Sequence, residues 1–304
     1  MADWLLADIG ASHTRLALAT ADGLRPETAR RHANAGFATP GALIAAYLGA
    51  TRVAAICAGV AGPVRGGAAQ LTNHPWHIEA SRLAACTGAA RVRLMNDLQA
   101  QAMALDDLDP ACLTRIVPGT PDPEGARMVL GLGTGSNIAV AHRVAGRLFV
   151  PPAEAGHSGL PHLDAEANAA IAALGAEVAH KPYEALLSGP GLARLHRLRT
   201  GARRDAPAIV SAEDAPARAT RALFARLLGA VAGNLALTHM ATGGVFLIGG
   251  TARAVAPHLP GTGFAPAFTA RGPYAAIMRA IPVTLVTDDH AALRGCWRAL
   301  RQAM

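Results

Sequence analysis

Asp8-Ile9-Gly10-Ala11-Ser12-His13-Thr14-Arg15 joins two apolar runs, the first beginning at Trp4 and the second ending at Thr20. An apolar strand enters a turn rich in glycine and hydroxyl groups, and a second apolar strand leaves it. About 120 residues later the pattern returns, as Met128-Val-Leu, then Gly131-Leu-Gly-Thr-Gly-Ser-Asn137, then Ile138-Ala-Val-Ala. Two such hairpins point to a duplicated architecture with one phosphate-facing turn in each half. Asp8, at the end of its strand, is a candidate Mg²⁺ ligand, and the turns behind it and around Thr134 offer N–H and hydroxyl groups to phosphate. Neither turn is a P-loop, because the chain's single lysine, Lys181, lies far beyond Asn137. Lysine-dependent phosphate handling is thereby excluded. A Rossmann turn is excluded too, since the third glycine is missing and the chain continues as a strand.

Outward from these turns, further strands are expected at Arg52–Ala58, Arg91–Met95, Val245–Ile248 and Pro282–Val286. Helices are expected after Asn96-Asp97, over Asp164–Ala179, Tyr183–Leu187, Gly191–Arg199 and Ala217–Leu237, and at Ala291–Ala303. Alternating strands and helices predict an α/β protein with mainly parallel sheets. A chain of 304 residues has room for two domains, and no linker-like stretch separates the halves.

Hydrophobic residues make up 51% and charged residues 16%, which excludes a disordered chain. Cys57, Cys86, Cys112 and Cys296 are scattered without a zinc or disulfide spacing, as in a reducing compartment. The first residues carry two acids where a signal peptide needs a basic region. Leu227–Ala252 lacks charged residues, but its polar side chains and glycines predict a buried helix, a turn and a strand rather than a membrane span. The net charge of +7 raises nucleic acid as a partner. The densest basic cluster, Arg194, Arg197, Arg199, Arg203 and Arg204, has no nucleic-acid motif around it and reads as a solvated face.

Polar groups suited to a neutral sugar lie around the turns. Leu71-Thr-Asn-His-Pro-Trp76 is a polar loop with an indole. Asn96-Asp97 follows a buried strand, Glu154 and His157 share a loop, and Glu184 precedes Leu187-Ser-Gly-Pro-Gly191. Carboxylates, amides and imidazole match the alternating donors and acceptors of sugar hydroxyls. Each also has a plainer reading: Asn96-Asp97 as a helix cap, Asn73 in a turn packed by Trp76, His157 as a loop residue, Glu184 on a solvated face.

Taken in order, LLADIGASHTRLAL, AGVAGPV, LTNHPWHI, MNDLQAQAMAL, GLGTGSNIAVA, PAEAGHSG, YEALLSGPGL and GGVFLIGG resemble the bacterial glucokinases of the non-ROK type, within the hexokinase–actin–sugar kinase superfamily. The resemblance implies a two-domain, actin-like (ribonuclease H-like, duplicated) α/β fold with a cleft between the domains. A small domain would span residues 1–108, completed by the helix 290–304, and a large one 109–289. It implies a cytoplasmic enzyme that phosphorylates the glucose 6-hydroxyl from ATP with Mg²⁺. Its partners would be sugar and nucleotide, without nucleic acid or membrane, and a homodimer is compatible. Asp97 would be the general base; Asn73, Asn96, Asp97, Glu154, His157 and Glu184 would bind sugar. Asp8 would serve Mg²⁺, Gly10, Ser12, Gly133 and Thr134 the phosphates, and Gly249 and Gly250 the adenosine. The chain departs from the family where Ala11 and His13 replace Gly and Asn, Ser136-Asn137 replace Leu-Gly, and Ala155 replaces Gly. Ala155 stands beside Glu154, and an added Cβ close to phosphate, as at Ala11 and Asn137, predicts a shifted loop or a different backbone torsion. Two alternatives follow: a kinase for another hexose such as mannose, or a non-catalytic sugar sensor.

Overall fold

The computed structural model describes residues 3–72 and 74–303. The chain divides into two compact units. One holds the chain up to Asp109, Val144–Pro152 and the chain from Asp288; the other holds Pro110–Arg143 and Ala153–Thr287.

The first unit is built on β1 (Asp3–Ile9), β2 (His13–Thr20), β3 (Gly23–Leu24), β4 (Arg30–Ala33), β5 (Val53–Val60) and β9 (Arg91–Asn96), with a small sheet of β6 (Val64–Arg65), β7 (Ala68–Gln70) and β8 (His77–Glu79). Successive β1 side chains point to opposite faces, and both faces are covered. Leu5, Ala7 and Ile9 pack with residues of α1 (Pro40–Leu48) and α2 (Ala80–Thr87). Trp4 and Leu6 pack with Ala100 and Met103 of α3 (Asp97–Met103) and with Leu293, Cys296 and Trp297 of α11 (Ala291–Arg301). The two helices cross tightly: a Cβ on Gly295 would collide with the Ala100 carbonyl oxygen. Residues 144–152, which the sequence reading placed in the large half, belong to this unit. Leu148, of β13 (Arg147–Phe149), is buried with Trp297 and Leu300. Gln99 Nε2 donates to the Val150 carbonyl at 2.8 Å, and Leu148 N–H donates to Gln302 Oε1 at 3.2 Å.

The sheet of the second unit runs β10 (Leu113–Val117), β15 (Val283–Val286), β14 (Gly244–Ile248), β11 (Arg127–Leu132), β12 (Ser136–Val144). Around it lie α4 (Ala165–Gly175), α5 (Gly189–Thr200), α6 (Ala206–Ser211), α7 (Ala215–Thr238), α8 (Gly250–Val255), α9 (Phe264–Thr269) and α10 (Ala275–Ala280). Helix starts follow local chemistry: Asp164, Ser188, Asp205 and Asp214 each accept a backbone N–H in the first turn of α4, α5, α6 and α7, and proline occupies an early position in the last three.

Two expectations are corrected. The sheets are mixed rather than mainly parallel: β1–β5–β9 and β11–β14–β15 run parallel, but β2 and β12 are antiparallel to β1 and β11. A turn of a few residues can only fold a strand back on itself. The helix expected at Tyr183–Leu187 is a single 3₁₀ turn, Tyr183–Ala185, cut short where Ser188 caps α5. Leu227–Ala252 forms the end of α7, a turn, β14 and the start of α8, and no helix among the described residues is long and apolar enough to cross a membrane. Four of the five clustered arginines are paired with acids: Arg194 and Arg197 with Glu177, Arg199 with Glu166 and Arg204 with Asp214.

Candidate active site

In the first unit, register makes Asp8 and Arg15 direct partners across β1 and β2, and Arg15 Nη1 lies 3.1 Å from Asp8 Oδ2. The Asp8 carboxylate is 17% exposed. Burial pushes its pKa above the ordinary carboxylate value, and the charge and hydrogen bond of Arg15 oppose that rise. Gly10 N–H closes the turn on the His13 carbonyl at 3.0 Å.

Asn34, which sequence reading missed, holds this turn from behind. It is buried; its Nδ2 donates to the carbonyls of Gly10 (2.7 Å) and Ala11 (3.1 Å), and its Oδ1 accepts from Thr14 Oγ1 at 2.8 Å. A lone asparagine after a short strand carries no sequence signal for this task. Ser12 and His13 are exposed on the same turn. Among the described residues only Ala145, Lys181 and Met240 are non-glycine residues at positive φ. Ala11, Ser136, Asn137 and Ala155 therefore have negative φ, and no left-handed backbone torsion is needed at these positions.

At the end of β9, Asn96 caps α3. Its Oδ1 accepts from Leu98 N–H at 2.9 Å, its Nδ2 donates to the Gly62 carbonyl at 3.2 Å, and its own N–H is held by Gln99 Oε1 at 3.0 Å. The plainer reading, a helix cap, is thus realised. An amide nitrogen carries two hydrogens, so capping does not exhaust Asn96. Asp97 opens the helix half-buried, its Oδ1 accepting from Leu98 N–H at 2.9 Å. The remaining sugar candidate of this unit, Asn73, lies outside the described residues.

In the second unit, Gly133 N–H bonds the Gly135 carbonyl at 2.9 Å, while the Gly133 carbonyl accepts from Gly189 N–H (2.8 Å) and Thr251 Oγ1 (3.0 Å). Thr251 and Gly189 are two more supports that sequence reading missed. Thr134 is exposed, and the space a Gly133 Cβ would enter is open. Gly135 serves a different end, since its Cβ would sit 2.6 Å from Glu184 Oε2. That oxygen accepts from Ser136 N–H at 2.8 Å. A Gly156 Cβ would collide with the Ser136 carbonyl oxygen, so the Glu154–His157 loop lies directly against the start of β12.

The Asn137 side chain reaches that loop: Nδ2 donates to the Ala153 carbonyl (2.7 Å) and to Glu154 Oε2 (3.0 Å). Partial desolvation of its carboxyl pushes the Glu154 pKa up, His157 opposes the rise, and the neighbouring Glu184 charge adds to it. The exposed His157 ring stacks on His180 with centroids 6.4 Å apart. Gly249 adopts φ +105°, and a Cβ there would collide with the Leu132 carbonyl oxygen; Gly250 starts α8 exposed, with open space where its Cβ would be.

Each unit thus holds a hairpin turn with an exposed hydroxyl and without lysine, and in the second unit loops gather carboxylates and an imidazole beside it, as an actin-like sugar kinase would require. The solved structures agree. The chain superposes on a glucokinase from an Antarctic psychrotroph with a TM-score of 0.90 and 29% identity, covering 99% of both chains. A Balamuthia mandrillaris glucokinase, solved in complex with glucose, shares the fold with a TM-score of 0.78 at 20% identity, over 99% of this chain and 94% of that one.

The glucokinase family model matches residues 5–303, and the Stenotrophomonas maltophilia (strain K279a) glucokinase is 34% identical over 96% of this chain and 92% of its own length. The chain belongs to the glucokinase family and is a glucose-phosphorylating enzyme.

Proposed function

We propose that the residues described above divide one reaction, ATP-dependent phosphorylation of glucose at its 6-hydroxyl, as follows. Glu154, His157 and Glu184, together with Asn96 and Asn73, accept from and donate to the sugar hydroxyls. Asp97 orients the 6-hydroxyl and takes its proton as the oxygen bonds the γ-phosphorus and the bond to the ADP oxygen breaks. Phosphoryl transfer of this kind needs positioning and charge neutralisation more than a strong base. The N-terminus of α3 favours a carboxylate at that place.

The turn hydroxyls of Ser12 and Thr134, with the backbone of Gly10 and Gly133, face the phosphates, and Gly249 and Gly250 lie by the adenosine. Mg²⁺ carried by a nucleotide takes one or two protein carboxylates and otherwise phosphate and water oxygens. Asp8, at a strand end beside a hydroxyl-rich turn, fits that demand, and Arg15 supports its ionised form. The metal would neutralise phosphate charge. Four unpaired cysteines fit a cytoplasmic location.

The observation that carries this reading is at the start of β12. Directly after the open turn around Gly133 and Thr134, Ser136 and Asn137 hold the Glu184 and Glu154 carboxylates. A phosphate-facing turn is thereby joined to a pair of sugar-binding groups. ADP release with glucose, mannose and other hexoses tests it. Glucose should give the highest kcat/KM. Sugar binding without ADP release from any hexose would return the protein to a sensor, and faster turnover of mannose would change the substrate.

A further inference from the structure

We propose that Asn137 is a positioning residue for sugar recognition, orienting the Glu154 carboxylate from the strand that leaves the phosphate turn. The inference rests on the reading of Glu154 as a sugar ligand.

Both ends of the Asn137 amide are engaged, and both of its donors are spent on the Glu154 loop. Oδ1 accepts from Ile138 N–H at 2.8 Å, while Nδ2 donates to the Ala153 carbonyl and to Glu154 Oε2 at 2.7 and 3.0 Å. A flipped amide would set its oxygen against two acceptors, so the network fixes the orientation of the group. Glu154 is exposed and stands just before a 3₁₀ turn, with no cap bond of its own. A glutamate so placed samples many rotamers unless a partner holds it, and a donor to its charged oxygen is the stronger kind of hydrogen bond.

The neighbouring residue performs the matching task, since Ser136 N–H holds Glu184. Consecutive residues of β12 thus set two carboxylates, one through the backbone and one through a side chain. The backbone bond survives any substitution at 136 other than proline. The side-chain bond exists only because position 137 is asparagine, where the family resemblance places glycine. The torsions at Asn137 are ordinary, so a substitution there removes the brace without forcing the strand to change.

The test is a set of variants read by steady-state kinetics and by glucose titration without nucleotide. Asn137→Ala should raise the KM and Kd for glucose about tenfold, leave the KM for ATP within about twofold and reduce kcat by less than about threefold. Asn137→Asp, which sets a carboxylate against Glu154, should raise the glucose KM further than alanine does. In a Glu154→Ala background, which leaves the Asn137 amide no acceptor at position 154, Asn137→Ala should change the glucose KM by less than about twofold.

Effects of the two substitutions that multiply in full would overturn the proposal, as would an aspartate variant with wild-type glucose affinity. Should the alanine variant fail to fold, Asn137→Gly carries the same comparison. A Glu154→Ala enzyme with unchanged glucose KM is a separate result. It removes Glu154 from sugar binding and fails the functional reading, whatever Asn137 does.

Discussion

Arg15 faces Asp8 across an antiparallel strand pair, with its Nη1 3.1 Å from Oδ2, and so opposes the rise in pKa that burial causes. The folded-state pKa of Asp8 is still raised. For an acid with a raised pKa the folded protein binds the proton more tightly than the unfolded chain. This group therefore favours folding below its folded pKa and costs stability as pH rises between its unfolded and folded values.

Arg15→Ala should push that pKa higher. The acid limb of kcat/KM should move to higher pH, and the Mg²⁺ concentration for half-maximal rate should rise. A pH–rate profile with Mg²⁺ varied checks both. An unchanged acid limb and Mg²⁺ requirement would separate Asp8 from metal handling.

Asp97→Ala should lower kcat at least about a hundredfold, the loss expected of a positioned general base, while the protein stays folded. The helix start survives because Leu98 N–H also donates to Asn96 Oδ1. Turnover with circular dichroism as the folding control decides it, and near-normal turnover would remove Asp97 from the chemistry.

Gly135→Ala brings a Cβ to 2.6 Å from Glu184 Oε2. The far end of a glutamate can move, so folding should hold, but the bond to Ser136 N–H should be lost. We expect the KM for glucose to rise about tenfold, with a smaller change in the KM for ATP. The reverse split would make Gly135 a phosphate-side residue alone.

Ala11→Gly should bring no gain in ATP use. Ala11 occupies an ordinary torsion and its carbonyl is held by Asn34, so glycine relieves nothing and adds freedom to the unfolded chain, at a cost of about 0.4–1 kcal/mol. Denaturant unfolding and ATP-varied kinetics measure the two effects. A several-fold rise in kcat/KM for ATP would show that the alanine does crowd the phosphates.

The Asn137 amide reaches Glu154 and Ala153. On the proposed reading of Glu154 as a sugar ligand, Asn137→Gly should therefore change the glucose KM more than the KM for ATP.

Local chemistry decided what could be read directly. A near-continuous apolar run from Trp4 to Ile9, interrupted only at Asp8, specifies a strand buried on both faces, the short turn at Gly10–Ser12 folds the next strand back beside it, and Asn96 marks the start of α3. Each depends on residues within a few positions of one another. The ordered blocks of motif were enough to reach the family.

Tertiary structure decided the rest, because its partners are far apart in the chain. Asn34 supports a turn more than twenty residues earlier. Ser136 and Glu184 meet over a separation of 48 residues, and Gly295 packs on Ala100. In sequence, Asn34 is an unremarked polar residue and Gly135 is one more glycine of a phosphate turn. What gives them their tasks is a carbonyl or carboxylate brought within 3 Å by the folding of segments whose own patterns say nothing of each other.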